Sequence, residues 1–342
     1  MSLTRRDAAL LAAAAMAAPG VARAEAPPPP IVFVAPGPKA PSRAAYEDAI
    51  AKGADFLTAP VAVSSDGELV VAPNNELSLF TDVAGRPDFA GRRKDKTIDG
   101  AAVSGWFSDD FTLHELTSLL TGPAKAGGRA LTAPPTLLSL QEVIDLARAG
   151  SVGAARVVGV SPRLVHPSYF AVQDVSLERA LARIVRLSGY DSSAAAMIVQ
   201  SNEPAALRAF AALSQARRLQ LIDSEGGPSD PTAMRYQAMT NADGLAAVRT
   251  WAGAIGPPES LVIQPGPKDS IVSTGLVQAA HTAGLKVYAR AAPPAPHEPY
   301  GAARTRLMAL FLAGADGVVC ADVATAIRAR GEAMDRLRQR RD

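Results

Sequence analysis

Arg163 and Arg290 each close a short apolar run of the kind that ends a strand. A guanidinium at such a place offers a planar fork of donors to a phosphate or carboxylate, or fills structural space with a fixed positive charge. His166, three residues after Arg163, is the histidine best placed to exchange a proton with a ligand. Asp223 and Glu225, with Asp230 beyond, follow another apolar run in a glycine-rich loop, where they suit a metal, a general base or an ordinary solvated turn. Gln200 and Tyr288 complete the candidate ligand-binding set with Arg163, His166 and Arg290. His114 and His281 read as helix-surface residues, and His297 sits among prolines in a long loop. Arg92-Arg93-Lys94 beside Asp95 reads as a solvated loop. Cys320 is the only cysteine, which excludes an internal disulfide and thiolate-built zinc or iron–sulfur sites.

The chain has 342 residues, 48% of them hydrophobic, enough to bury a large core. Thr4-Arg5-Arg6-Asp7, the alanine-rich run Ala8–Ala18 and Ala22-Arg23-Ala24 before Glu25 form the pattern of a twin-arginine export signal over residues 1–24. That apolar run is too short to span a bilayer as a helix. The segment holds three arginines against one aspartate, so the net charge of +2 falls to zero without it. Charge therefore gives no warrant for nucleic-acid or membrane binding. The expected location is the periplasm.

Residues 25–30 read as a proline-rich spacer, since Pro27 to Pro30 favour an extended chain. Beyond it, apolar β-type runs alternate with amphipathic helical runs, which predicts βα units around a parallel sheet. The expected strands are Ile31–Val34, Phe56–Val63, Val157–Val160, Ala196–Gln200, Leu219–Ile222, Leu261–Gln264, Lys286–Ala289 and Gly317–Cys320. Eight such runs predict an α/β TIM barrel over 31–330, with 331–342 a basic tail. The expected helices are Ala44–Lys52, Leu140–Ala149, Leu177–Leu187, Glu203–Leu213, Thr274–Ala283 and Arg304–Ala313, several stopping on glycine, as at Gly53, Gly150 and Gly314. Thr112-Leu113-His114-Glu115 is a capping-box pattern. Asp66-Gly67 predicts a hairpin that adds an antiparallel partner to the second strand, and residues 80–111 read as a polar loop insertion.

From Gly53 to Leu119 the chain reads Gly53-Ala54-Asp55-Phe56-Leu57-Thr58-Ala59-Pro60, then Asp66-Gly67-Glu68-Leu69, Pro73-Asn74, Thr81-Asp82-Val83-Ala84 and Asp110-Phe111-Thr112-Leu113-His114-Glu115-Leu116. This frame, with Ile198-Val199-Gln200-Ser201 and Gly314-Ala315-Asp316-Gly317 further on, resembles the glycerophosphodiester phosphodiesterase family in its long periplasmic form. The resemblance implies a TIM barrel, a divalent metal such as calcium or magnesium, and two catalytic histidines. It places Ala35 and Pro36 where the family has His-Arg after the first strand, and Pro73 and Asn74 where it has a second histidine and an acid. Thr58, Pro60 and Arg163 stand at its metal-ligand positions, and Val165 at that of a lysine.

Glycines and core residues of that frame are kept, while ionisable residues at the strand ends are not. The main expectation is thus an exported barrel that has lost metal-dependent phosphodiester hydrolysis, has no cofactor, and binds a small anionic or phosphate-containing ligand or a protein partner. The alternatives are the family reaction itself, glycerophosphodiester plus water giving an alcohol and glycerol 3-phosphate, or different chemistry built from Asp223, Glu225, His166 or Tyr288.

Overall fold

The run Phe56–Val63 is buried along its whole length, on both faces. Only a strand covered on each side needs an apolar run without alternation, and parallel sheets have such strands. The computed structural model describes residues 28–35, 40–122, 125–126, 129–130, 134–293 and 301–340. The signal segment, Pro36 and His297 lie outside the described residues.

Eight strands run parallel: β1 (Ile31–Val34), β2 (Phe56–Val63), β3 (Gly159–Leu164), β4 (Ile198–Ser201), β5 (Arg217–Leu221), β6 (Ala254–Gly256), β7 (Lys286–Arg290) and β8 (Gly317–Cys320). β1 pairs with both β2 and β8, so the sheet closes as the expected TIM barrel. Helices cover the outside: α1 (Arg43–Ala51), α2 (Leu113–Thr117), α3 (Leu140–Gly153), α4 (Pro167–Val172), α5 (Leu177–Leu187), α6 (Pro204–Ala211), α7 (Ala242–Arg249), α8 (Leu276–Thr282), α9 (Ala302–Leu312) and α10 (Val323–Gln339). Among the described residues no helix is long and apolar enough to cross a membrane.

Side chains alternate across each strand, and two apolar clusters follow from that. Phe33, Phe56, Ile198, Leu219, Leu221, Ala254, Tyr288 and Val319 fill the barrel interior, with the Phe33 ring 5.0 Å from those of Phe56 and Tyr288. The complementary residues, such as Val32, Leu57, Val160, Val199 and Val318, pack outward against the helices. Counting two residues up from the interior layer brings Ala35, Thr58, Pro60, Arg163 and Arg290 towards the C-terminal mouth, with Pro60 and Gln200 in register with Arg163 on either side.

Several boundaries differ from the sequence expectation. The sixth strand is Ala254–Gly256, whereas Leu261–Gln264 lies in a 3₁₀ turn and the antiparallel hairpin Ile263–Pro265/Ile271–Ser273. α3 runs through Gly150, where a Cβ would stand 2.8 Å from the Ile50 side chain, so that glycine serves the close approach of α1 and α3 rather than a stop. Residues 331–339 continue α10 instead of forming a tail. The capping box at Thr112 and Glu115 forms as expected, and Leu69–Val71 pairs antiparallel with β2.

The insertion is more ordered than a loop. Lys94–Ile98 and Ala101–Gly105 form a hairpin that turns at Asp99 (φ 48°) and Gly100 (φ 83°), two positive-φ residues of the type a tight hairpin turn requires. Arg92 and Lys94 are ion-paired with Glu115 and Asp110, contrary to the solvated reading. Lys96 lies 2.8 Å from Asp109, whose Oδ2 also accepts from the Tyr169 hydroxyl of α4 at 2.7 Å. The hairpin is thereby tied to the barrel mouth.

Candidate functional site

A cavity of about 360 Å³ opens at the C-terminal ends of β3, β4 and β5, the end of the barrel where loops gather function. Arg163, half-buried, reaches it from β3. One of its donors lies 3.4 Å from the Pro73 carbonyl, and it has no carboxylate partner at ion-pair distance among the described residues. Burial, then the like charge of Arg290, lowers the pKa of Arg163, with Asp223 acting the other way. A guanidinium nonetheless stays protonated in a protein.

Arg290, at the end of β7, is engaged through Nε and Nη2. Its Nε donates to the Gly256 carbonyl at 3.0 Å, and Nη2 donates to the Ile222 carbonyl at 2.6 Å and to Asp223. Asp223 also accepts from Asn202 Nδ2 at 3.1 Å. Burial pushes the neighbouring Tyr236 phenol up to about 12, so it is a neutral donor at working pH.

His166 follows β3 with left-handed backbone (φ 46°), and its Nδ1 lies 2.5 Å from Asp99 Oδ2 at the hairpin tip. Burial raises the Asp99 carboxyl, but hydrogen bonds from His166 and Ser229, with the charge of His166, leave it below the ordinary range. Glu203, buried at the start of α6, accepts from the Ser229 amide at 2.7 Å through Oε1. Its Oε2 is buried without a hydrogen-bond partner among the described residues, and the residue lines the same cavity.

Of the sequence candidates, the cavity brings together Arg163, His166, Asp223 and Glu225, with Arg290 immediately behind Asp223. Gln200 is buried and donates to Ser161 Oγ at 2.7 Å, a bond within the barrel wall. Tyr288 is sealed in the interior layer at 2% exposure, and burial pushes its phenol up to about 12; both depart from the ligand-binding expectation. Asp230 caps its own loop through Thr232. His281 pairs with Asp316 at the opposite end of the barrel, at 2.8 Å. His114 is exposed on α2. Asp99, Glu203, Ser229 and Tyr236 were not anticipated. Only the Asp99-Gly100 turn carried a local signal, that of a hairpin tip.

The positions at which the resemblance expects metal ligands hold groups of another kind. Thr58 is buried, its Oγ1 lacks a partner, and Pro60 has no donor atom in its side chain. Arg163 is a cation. Hard divalent ions want several oxygen ligands, usually including carboxylates, and these three side chains do not fit one. Among the described residues no group of three or more His, Cys, Asp or Glu is placed to hold a metal. Val165 is buried, Asn74 Oδ1 accepts from the Glu76 amide at 3.0 Å, and Ala35 follows the end of β1.

The chain is 26% identical over 260 residues to a curated glycerophosphodiester phosphodiesterase of Arabidopsis thaliana, covering 71% of this chain and 68% of that protein. Its fold matches a glycerophosphodiester phosphodiesterase from Agrobacterium tumefaciens (TM-score 0.56, 15% identity, 88% of this chain and 100% of that one). A phosphodiesterase from Oleispira antarctica, solved with the product sn-glycerol-3-phosphate, matches at TM-score 0.57 and 17% identity over 90% and 97%. These likenesses favour the phosphodiesterase reading over the loss of activity expected from the sequence. They also correct the expectation of no cofactor, because the family concerned is metal-dependent. The glycerophosphoryl diester phosphodiesterase family model matches residues 41–290, most of the chain, and the protein belongs to that family.

Proposed function

We propose that the protein is an exported phosphodiesterase that takes a glycerophosphodiester into the mouth of its barrel, with Arg163 gripping the phosphate and glycerol 3-phosphate among the products. One observation carries the reading: a half-buried guanidinium without a carboxylate partner among the described residues, on the rim of a polar cavity. Family membership supports the reaction class, and the product seen in the Oleispira relative supports the ligand chemistry. The twin-arginine pattern of residues 1–24 supports export.

Calorimetry with sn-glycerol 3-phosphate tests the grip. A charge-assisted hydrogen bond contributes about 1.5–3 kcal/mol, so Arg163→Met should weaken binding roughly 10- to 100-fold. Absence of binding, or equal binding by the variant, would refute it. Hydrolysis of glycerophosphocholine with calcium or magnesium supplied tests the reaction.

A second reading, ligand capture without turnover, is favoured by Ala35, Pro73 and Asn74, which offer neither the acid nor the base of the family site. Binding without hydrolysis in the same two assays would select it.

A further inference from the structure

We infer that His166 and Asp99 form an acid–base pair for phosphoester hydrolysis, in a place separate from Ala35 and Pro73, where the resemblance puts the family's two catalytic histidines, and completed by the insertion hairpin. The inference rests on the phosphate-binding reading above. The imidazole is held through Nδ1 by Asp99 at 2.5 Å, which leaves Nε2 for a molecule in the cavity that both side chains line. Their side chains keep 26% and 25% of their surface exposed, enough for contact with a ligand and little enough to hold one geometry.

The pair is built rather than fortuitous. Asp99 comes from a hairpin 67 residues earlier in the chain than His166. That hairpin is fixed by Lys96 to Asp109, and Asp109 in turn accepts from Tyr169, three residues beyond His166. Ser229, from the loop after β5, lines the same cavity.

In the reaction, the oxygen of water forms a bond to phosphorus while its proton passes to Nε2. The phosphorus–oxygen bond to the alcohol breaks, and the departing oxygen takes that proton. Asp99 keeps Nε2 the accepting nitrogen and stabilises the imidazolium, so it is a positioning residue.

The test compares the wild-type protein with His166→Asn and Asp99→Asn, since asparagine tolerates the left-handed backbone at both sites. Glycerophosphocholine hydrolysis is followed across pH with calcium and magnesium supplied, and sn-glycerol 3-phosphate binding is measured in parallel. The charged groups around the ring's cavity are Asp99, Arg163, Glu203, Asp223 and Glu225. We expect kcat to fall about 100-fold or more in His166→Asn and about tenfold in Asp99→Asn, with glycerol 3-phosphate affinity within about twofold of wild type. The ¹⁵N shifts of the His166 ring should show Nδ1 protonated in wild type and a changed tautomer balance in Asp99→Asn. Wild-type binding with undiminished kcat in His166→Asn, or wild-type binding without hydrolysis, overturns the pair and leaves the binding reading standing. Failure of the wild-type protein to bind glycerol 3-phosphate overturns both.

Discussion

Replacing Lys96 by methionine should cost far more stability than replacing an exposed ion-paired lysine, because its side chain is only 16% exposed and two carboxylates of similar burial depend on it. The ammonium lies 2.8 Å from Asp109 and 2.9 Å from Asp110, whose side chains are 15% and 12% exposed. The Asp110 contact falls outside hydrogen-bonding geometry and is chiefly coulombic, since Asp110 Oδ2 is buried without a hydrogen bond. Removing one member of a buried ion pair costs about 3–5 kcal/mol. Here Asp109 would keep Tyr169 and Asp110 would keep Lys94, so about 2 kcal/mol is the better figure. Lys96 also sits 4.9 Å above the Phe107 ring, which adds roughly 0.5–1 kcal/mol. The total, about 2–3 kcal/mol, should appear in urea melts and as a Tm lowered by about 4–6 °C in a chain of this size. Lys52→Met supplies the comparison. Its pair with Asp48 is just as short at 2.6 Å, but the side chains are 48% and 60% exposed, and such pairs contribute about 0.5 kcal/mol or less. If Lys96→Met costs no more than Lys52→Met, the carboxylates are solvated and the hairpin is anchored in some other way.

Glu115 gives a pH dependence of defined sign. Hydrogen bonds from Arg92 at 2.7 and 2.9 Å, more than any other cause, bring its carboxyl down to about 2. The folded value is below the unfolded one of about 4.3, so the contribution is complete above that pH and is lost as pH falls towards 2. Arg92→Met should therefore flatten the loss of stability between about pH 4.5 and 2, measured by urea melts across that range. An unchanged slope would contradict the assignment. In the barrel interior, a Cβ on Gly159 would stand 2.3 Å from the Phe56 ring and 2.7 Å from the Ala196 carbonyl. Gly159→Ala should lose about 1–3 kcal/mol, whereas Gly253→Ala, with nothing within 4 Å, should melt within about 0.5 kcal/mol of wild type.

How far the sequence could be read depended on how local each cause was. β2 is legible to the residue because its burial on both faces writes an unbroken apolar run, closed by the Asp66-Gly67 turn. β6 is not, because Ala254-Ile255-Gly256 is short and made of small residues. Its place is set by neighbours: a Cβ on Gly256 would meet Leu221 at 2.8 Å. The richer run at Leu261–Gln264 looks more like a strand but pairs only with a local hairpin. At the mouth, Arg163 and His166 are legible as strand-end residues. Asp99 is not, because the approach of the hairpin tip to His166 is fixed by Lys96, Asp109 and Tyr169, distant in sequence. Glu203 and Tyr236 look like ordinary helix-start and loop residues until β4 and β5 bring them to one cavity.

The mouth divides into two arcs of different character. On the β1–β2 side stand Ala35, Thr58, Pro60, Pro73 and Asn74, none of them charged. From β3 round to β7 stand Arg163, His166, Asn202, Asp223 and Arg290, joined by Asp99 and Glu203. Four carboxylates, Asp99, Glu203, Asp223 and Glu225, line the cavity and would repel a phosphate, yet three of them have a local partner. Asp223 is held by Arg290 and Asn202, Asp99 by His166, and Glu203 by the Ser229 amide. Arg163 has no such carboxylate among the described residues. With Asp223, Asp99 and one oxygen of Glu203 engaged and that guanidinium lacking a carboxylate, an anionic ester finds its attraction on the β3 side, within the same cavity as the His166 ring.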